Sequence, residues 1–126
     1  MKSKPSDLRI LFVDDDSSLN QLSEKVLSDR GYRVDVASDG IAAVDKLKSQ
    51  TYDVAILDNF MPGMNGIELL KHMREQHYAT KVIMITAVNE SQLAEESLRM
   101  GADRILPKPF DFENLILTIN QVCGMK

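Results

Sequence analysis

Five polar residues that follow or close short apolar runs could act together in one chemical site. Asp14 and Asp15 follow the first run, Asp58 follows the third, Thr86 closes the fourth and Lys108 comes two residues after the fifth. Three carboxylates in one pocket would raise one another's pKa unless a cation relieved the repulsion, and Mg²⁺ prefers such oxygen ligands. The residue types therefore predict a divalent cation beside a hydroxyl and an ammonium group.

This set of side chains suits the transfer of a phosphoryl group to a carboxylate. Asp58 would be the nucleophile, and the cation and the Lys108 ammonium would neutralise the charge of the transferred group. The Thr86 hydroxyl could hydrogen-bond an anionic oxygen, and the small Ala87 behind it would leave room for a bulky group on Asp58. We expect Lys108 to pair with Asp58 before any transfer.

The two prolines that flank Lys108 should hold its ammonium group stiffly at the end of the fifth strand. Pro107 has no N–H and a fixed φ, and Pro109 favours an extended backbone at Lys108. The Lys108–Pro109 bond is a candidate cis peptide. A simpler interpretation is that the lysine is solvated and that the aspartates only cap helices, which stays open for Asp16.

The elements that must position these residues alternate along the chain. Five apolar runs, mostly rich in β-branched residues, are typical of parallel strands covered on both faces. They lie at residues 10–13, 34–37, 54–57, 82–85 and 105–106. Five amphipathic segments follow them, with these apolar stripes: Leu19, Leu22, Val26 and Leu27; Ile41, Val44 and Leu47; Ile67, Leu70 and Met73; the weaker Leu93, Ala94, Ser97 and Leu98; and Phe112, Leu115, Ile116, Ile119 and Val122.

This alternation predicts an α/β fold with a doubly wound, five-stranded parallel sheet and five helices, (βα)5. In such sheets ligands bind outside the carboxyl ends of the strands, which is where the candidate residues stand. The end of the second strand, at residues 38–40, should form only a turn and a helix N-cap.

Composition excludes several classes of protein. The 126 residues carry 15 Lys and Arg against 19 Asp and Glu, a net charge of -4 that argues against binding nucleic acid or an anionic membrane. No apolar run approaches the roughly 18 residues of a transmembrane helix. The single Cys123 cannot form an internal disulfide, so we expect a cytoplasmic protein.

Six short motifs together resemble the receiver domain of two-component response regulators, with its CheY-like, flavodoxin-like fold. They are Val13-Asp14-Asp15, Leu57-Asp58, Met61-Pro62-Gly63-Met64-Asn65-Gly66, Thr86-Ala87, Gly101-Ala102-Asp103 and Lys108-Pro109-Phe110. The resemblance covers residues 8–123 and leaves residues 1–7 as an N-terminal extension. It predicts a stand-alone receiver of the bacterial type, without a separate output domain.

The resemblance implies that Asp58 accepts a phosphoryl group from a phosphohistidine on a sensor histidine kinase. It further implies that Asp15 and Asp58 bind Mg²⁺ directly, that Asp14 helps through water, and that the main-chain carbonyl of Phe60 is another ligand. The phosphoryl oxygens would be contacted by residues at two other strand ends: Thr86, Ala87 and Lys108.

By the same resemblance, the domain is not an enzyme beyond its own phosphorylation and slow autodephosphorylation. The phosphorylated form would bind a downstream protein through the face of the fourth helix, fifth strand and fifth helix. Alternatively it would relay the phosphoryl group to a histidine phosphotransfer protein. Direct contact with nucleic acid or a membrane is not expected.

Two positions depart from the family pattern. Ile105 stands where relatives usually carry Tyr or Phe, so a switch that depends on a moving ring is in question. Phe60 is a bulky ring two residues after Asp58, and we predict that it shields an acyl phosphate from water and slows its hydrolysis.

Two other functions stay open at this stage. Asp14-x-Asp16 after an apolar strand resembles the haloacid-dehalogenase-type phosphatases, with Asp14 as nucleophile, although these need a later acidic pair and more chain. A binding module with an inactive acceptor pocket is the third possibility. A dinucleotide-binding fold is disfavoured, because no Gly-x-Gly-x-x-Gly follows the first strand.

Overall fold

Strands and helices alternate along the chain as the hydrophobic pattern predicts. The computed structural model describes residues 4–61 and 63–125, so Pro62 of the predicted loop and the first three residues of the predicted extension lie outside the described residues. The strands are β1 (Arg9–Val13), β2 (Arg33–Ala37), β3 (Val54–Asp58), β4 (Lys81–Ala87) and β5 (Arg104–Lys108). The helices are α1 (Ser17–Asp29), α2 (Gly40–Ser49), α3 (Gly66–Glu75), α4 (Ser91–Arg99) and α5 (Phe112–Val122).

The five strands form one parallel sheet in the order β2-β1-β3-β4-β5. This confirms the predicted doubly wound α/β fold. The strand order reverses between β1 and β3, and the crevice at such a switch point is the usual ligand site of open α/β sheets. In the register of the two strands Val13 lies opposite Leu57, so the residues that follow both emerge at this crevice.

The sheet separates two hydrophobic cores. One contains buried residues of α2 and α3, and the other contains buried residues of α1 and α5. Strand β3 is buried along its whole length. Among the described residues, no helix has both the length and the apolar character needed to cross a bilayer.

Three positions of the predicted apolar stripes are exposed. Leu22, Ile41 and Leu98 have 50%, 59% and 51% of their surface exposed. On α1 the buried positions near Leu22 belong instead to the polar residues Asn20 and Ser23. Asn20 is accommodated there because its side chain hydrogen-bonds main-chain carbonyls at the ends of β1 and β2, so the buried face of α1 is rotated away from Leu22.

Local signals define several helix ends. The Asp16 carboxylate accepts hydrogen bonds from the backbone N–H groups of Ser18 and Leu19, which confirms that Asp16 is an N-cap. Asp39 caps α2 in the same way, as the turn at the end of β2 predicts. Gly31 follows α1 with φ of +96°, a conformation that favours glycine just beyond a helix.

Candidate functional site

The sheet brings three carboxylates together at its switch point. Oxygen atoms of Asp14, Asp15 and Asp58 lie within 4.8 Å of one another, as the sequence predicts. Asp58 ends β3 and Asp14 directly follows β1, so the pairing of these strands places the two side by side. Asp14 and Asp58 are buried, whereas Asp15 is exposed to solvent.

Burial makes the negative charge on Asp14 and Asp58 unfavourable. It raises the pKa of Asp58 to about 6, and the neighbouring charge of Asp14 adds to this, while Lys108 and the backbone N–H of Phe60 act in the opposite direction. The pKa of Asp14 is also raised, again mainly by burial. The sequence predicted a mutual rise through repulsion; loss of hydration is the larger cause.

The cluster is chemically suited to a metal ion. Oδ2 of Asp14 is buried and, apart from an ion pair with Lys108, has no hydrogen-bond partner among the described residues. A buried carboxylate oxygen left in this way needs a cation or water. The donor set contains only oxygen atoms, which is the set that hard divalent cations take.

Lys108 does not have the partner that the sequence suggested. Its Nζ lies 3.5 Å from Oδ2 of Asp14, so the ion pair is with Asp14 and not with Asp58. Two strands, β3 and β4, lie between β5, which carries Lys108, and β1, which Asp14 follows. The Lys108 side chain therefore reaches past the ends of both strands. The Lys108–Pro109 peptide bond is cis, as its sequence allowed.

The end of β4 provides the hydroxyl. Asp58 lies opposite Ile85, so Thr86 and Ala87 extend past the end of β3. Thr86 is almost fully buried. The backbone N–H of Ala87 donates a 2.6 Å hydrogen bond to Oε1 of Glu90.

The two departures from the family pattern have different surroundings. Phe60 is 63% exposed, and shielding of an acyl phosphate by its ring stays a prediction. Ile105 lies opposite Met84 in the sheet and packs, partly buried, against the core that contains α2 and α3. An aliphatic side chain therefore occupies the position at which a ring would be expected to move.

The sequence did not single out two residues that hold the carboxylates in place. Nδ2 of Asn20 donates to the carbonyl oxygens of Asp14 and Ala37, at 2.7 and 3.3 Å, and so ties the end of β1 to that of β2. Oδ1 of Asn59 accepts from the backbone N–H of Ile67, which fixes the loop after β3. The usable signal was Asn20 itself, because Asn is unfavourable in a helix interior unless it has a partner.

The same loop requires a glycine at the start of α3. A Cβ atom at Gly66 would lie 2.7 Å from the carbonyl oxygen of Asp58 and 2.9 Å from the Cα of Asn59. Glycine therefore allows α3 to begin directly against the backbone of the candidate acceptor. This is the close packing that the predicted loop after Asp58 implies.

The chain matches known proteins over most of its length. Residues 10–120 match the model of the response regulator receiver domain. The chain is 40% identical over 113 residues to the response regulator ArlR of Staphylococcus epidermidis, covering 90% of this chain and 51% of that protein. It is 38% identical to the transcriptional regulatory protein TctD of Salmonella typhimurium, and this match covers 86% of this chain and 48% of that protein. The chain thus spans about half the length of these curated relatives.

Solved structures agree with this match. The receiver domain of the Francisella response regulator 1452 superposes with a TM-score of 0.87 at 33% identity, covering 93% of this chain and 97% of that one. The chemotaxis protein CheY4 of Vibrio cholerae superposes with a TM-score of 0.85 at 36% identity, and the match covers 91% of this chain and 98% of that one. None of these relatives is a phosphatase of the haloacid-dehalogenase type. The chain belongs to the response regulator receiver domain family.

Proposed function

We propose that Asp58 is the phosphoacceptor of this receiver domain. The single observation that carries this assignment is the convergence of Asp58 with Asp14 and Asp15 within 4.8 Å, at the switch point of the sheet. Asp58 is the member of the cluster that ends the central strand β3, and it is nearly buried. Its strand, β3, lies between β1, which Asp14 and Asp15 follow, and β4, which carries Thr86.

The donor is a phosphohistidine of a sensor histidine kinase or of a histidine phosphotransfer protein. A carboxylate oxygen of Asp58 forms a bond to phosphorus as the P–N bond breaks. The electron pair of that bond goes to the ring nitrogen, which leaves as neutral imidazole when the other ring nitrogen carries a proton. The Thr86 hydroxyl, the Ala87 N–H and the Lys108 ammonium then hold the phosphoryl oxygens.

Mg²⁺ is the proposed cofactor. Asp14, Asp15, Asp58 and the main-chain carbonyl of Phe60 would hold it, with Asp14 acting through water. When bound, the ion neutralises charge on the carboxylates and on the transferred group. Lys108 would exchange its ion pair with Asp14 for a contact with the phosphoryl group, since both partners are anionic oxygens.

The remaining assignments follow from the family. We take residues 8–123 as the receiver unit, which acts in the cytoplasm as a phosphoprotein and catalyses only its own phosphorylation and slow dephosphorylation. Its downstream protein would bind the face formed by α4, β5 and α5. Exposed Leu98 on α4 and Leu117 on α5, at 51% and 55%, supply apolar surface for such a contact.

The test is to phosphorylate the protein with a small donor such as phosphoramidate and to map the modified residue by peptide mass spectrometry. We expect a Mg²⁺-dependent gain of one phosphoryl group on Asp58, and no gain in Asp58→Asn. Asp16→Asn is the matched control, because Asp16 caps α1 and should label like the wild type. Labelling of Asp14 in place of Asp58 would contradict the proposal and favour the phosphatase mechanism.

A further inference from the structure

The backbone N–H of Ala87 is already occupied by a carboxylate from its own chain. It donates to Oε1 of Glu90 at 2.6 Å, a short distance typical of hydrogen bonds to a charged acceptor. The backbone N–H of Glu90 donates back to the carbonyl oxygen of Ala87 at 3.0 Å. Glu90 therefore closes a tight turn directly after β4.

This N–H is well placed to bind an anion at the candidate site. Ala87 lies opposite Lys108 on β5 and two residues beyond Ile85, the position that pairs with Asp58. Its N–H group donates to the Glu90 side chain. A backbone N–H that is aimed at an oxyanion stabilises the negative charge of that oxygen.

We propose that Glu90 is an internal competitor for the phosphoryl group, because its carboxylate holds the Ala87 N–H that an oxygen of the acyl phosphate would otherwise take. This inference rests on the proposed function of Asp58. A phosphoryl group near Asp58 carries about -1.5 to -2 charges, so it both competes for the N–H and repels the Glu90 carboxylate. Phosphorylation thus has to displace Glu90.

The displaced carboxylate has a second place to bind. Glu90 is the N-cap residue of α4, yet its side chain makes no capping hydrogen bond to that helix. The first N–H groups of a helix lack partners within the helix and favour a negative charge. Release of Glu90 from Ala87 would let its carboxylate accept from the first turn of α4, which links occupancy of the acceptor site to the start of that helix.

A purely structural role predicts the opposite effect on binding. A glutamate that reaches back three residues to a backbone N–H is also half of a capping box and stabilises the turn. If Glu90 only stabilised the turn, its removal would loosen the end of β4 and weaken binding of a phosphoryl group. If Glu90 competes, its removal strengthens that binding.

The experiment measures the affinity of Mg²⁺-loaded protein for fluoroberyllate, a mimic of the phosphoryl group, by titration calorimetry. We expect Glu90→Gln and Glu90→Ala to bind about five- to tenfold more tightly than the wild type, the size expected when a charge-assisted competitor is removed. The matched control is Glu95→Gln, which removes the same charge from an exposed position on α4. It should bind like the wild type.

Each outcome decides the proposal. Equal or weaker binding by both Glu90 variants, with a normal control, overturns the competitor role and leaves the proposed function intact. Equal gains in Glu95→Gln would also overturn it, because net charge would then explain the effect. If the wild type and Asp58→Asn fail alike to bind fluoroberyllate, the proposed function itself fails.

A readout without any ligand guards against misfolding of the variants. In the wild type, the short hydrogen bond should move the amide proton resonance of Ala87 downfield, and Glu90→Ala should return it upfield while the other amides of β4 stay in place. An unchanged Ala87 resonance would show that the hydrogen bond to Glu90 is not formed in solution, which would overturn the proposal.

Discussion

Helix α3 buries Gly66, Leu69, Leu70 and Met73, whereas α4, whose nine residues the structure describes in full, buries only Ser97. The hydroxyl of Ser97 is used within α4 itself, in a hydrogen bond to the carbonyl oxygen of Leu93. Both helices follow central strands that end at the candidate site. They therefore differ in how firmly they are attached and not in where they start.

Their N-terminal ends differ in the same direction. Asn65 and Glu68 form a reciprocal capping box at the start of α3, with hydrogen bonds of 2.8 and 3.0 Å. Glu90 makes no capping bond to α4 and binds the preceding strand instead. Because little apolar burial and no side-chain cap hold α4, it is the element that a change at the site can most easily move.

The largest expected contrast comes from removing one leucine from each helix. Leu70→Ala should lower the free energy of unfolding by about 3 kcal/mol, because Leu70 is fully buried and its loss leaves a cavity. Leu98→Ala should cost less than about 1 kcal/mol, because that side chain is half exposed. Urea unfolding measures both, and equal losses would remove the basis of the comparison.

The second contrast is between two arginines. Arg74 on α3 donates to the carbonyl oxygens of Gly101, Tyr78 and Thr80 and pairs with Asp103 at 3.3 Å. We expect Arg74→Ala to cost about 2–3 kcal/mol, because three carbonyl groups lose a charged donor.

Its matched control on α4 is Arg99→Ala, which removes an exposed side chain in the last turn of that helix. This change should stay within about 0.5 kcal/mol in the same unfolding assay. If Arg74→Ala lowers the free energy of unfolding no more than the control does, the hydrogen bonds and ion pair of Arg74 contribute little to the attachment of α3.

The third test uses pH and compares the ends of β3 and β4. The pKa of Asp58 is raised to about 6, so the folded state binds more protons than the unfolded state between about pH 4 and 6. Stability of the metal-free protein should therefore fall as pH rises through that window. Asp58→Asn should raise the free energy of unfolding by about 2 kcal/mol at pH 7.5 and should leave it unchanged below pH 4.

The contrast at the end of β4 is Thr86→Val, since the buried Thr86 carries no charge. Its effect on the free energy of unfolding should be the same at pH 4 and at pH 7.5. A gain in Asp58→Asn that did not depend on pH would point to packing, and not to the buried charge, as the cause.

The smallest expected effect concerns the caps. Asn65→Ala should cost about 1 kcal/mol, because it breaks the capping box of α3. Ser91→Ala, in the first turn of α4, should change the free energy of unfolding by less than about 0.5 kcal/mol. If both substitutions cost the same, the two N-terminal ends are equally stabilised.

Much of this architecture could be predicted from local patterns. Apolar runs indicated the five strands, and the aspartates that follow the first and third runs indicated the acidic edge. Asp16 and Asp39 indicated the starts of two helices. The pattern failed where a helix buries a polar side chain: Leu22 is half exposed because Asn20 takes the buried position on α1. A hydrophobic pattern cannot predict the burial of a polar side chain, because that burial depends on hydrogen bonds to the end of a neighbouring strand.

What the sequence determined by itself is the kind of chemistry and the edge of the sheet at which it occurs. Residue type fixes the charge and ligand chemistry of Asp14, Asp15 and Asp58, and alternation of strands and helices brings strand ends to one side. Tertiary structure alone decided which partners meet. Lys108 pairs with Asp14 and Glu90 holds the N–H of Ala87, because strand order and side-chain reach, which no local pattern encodes, set those distances.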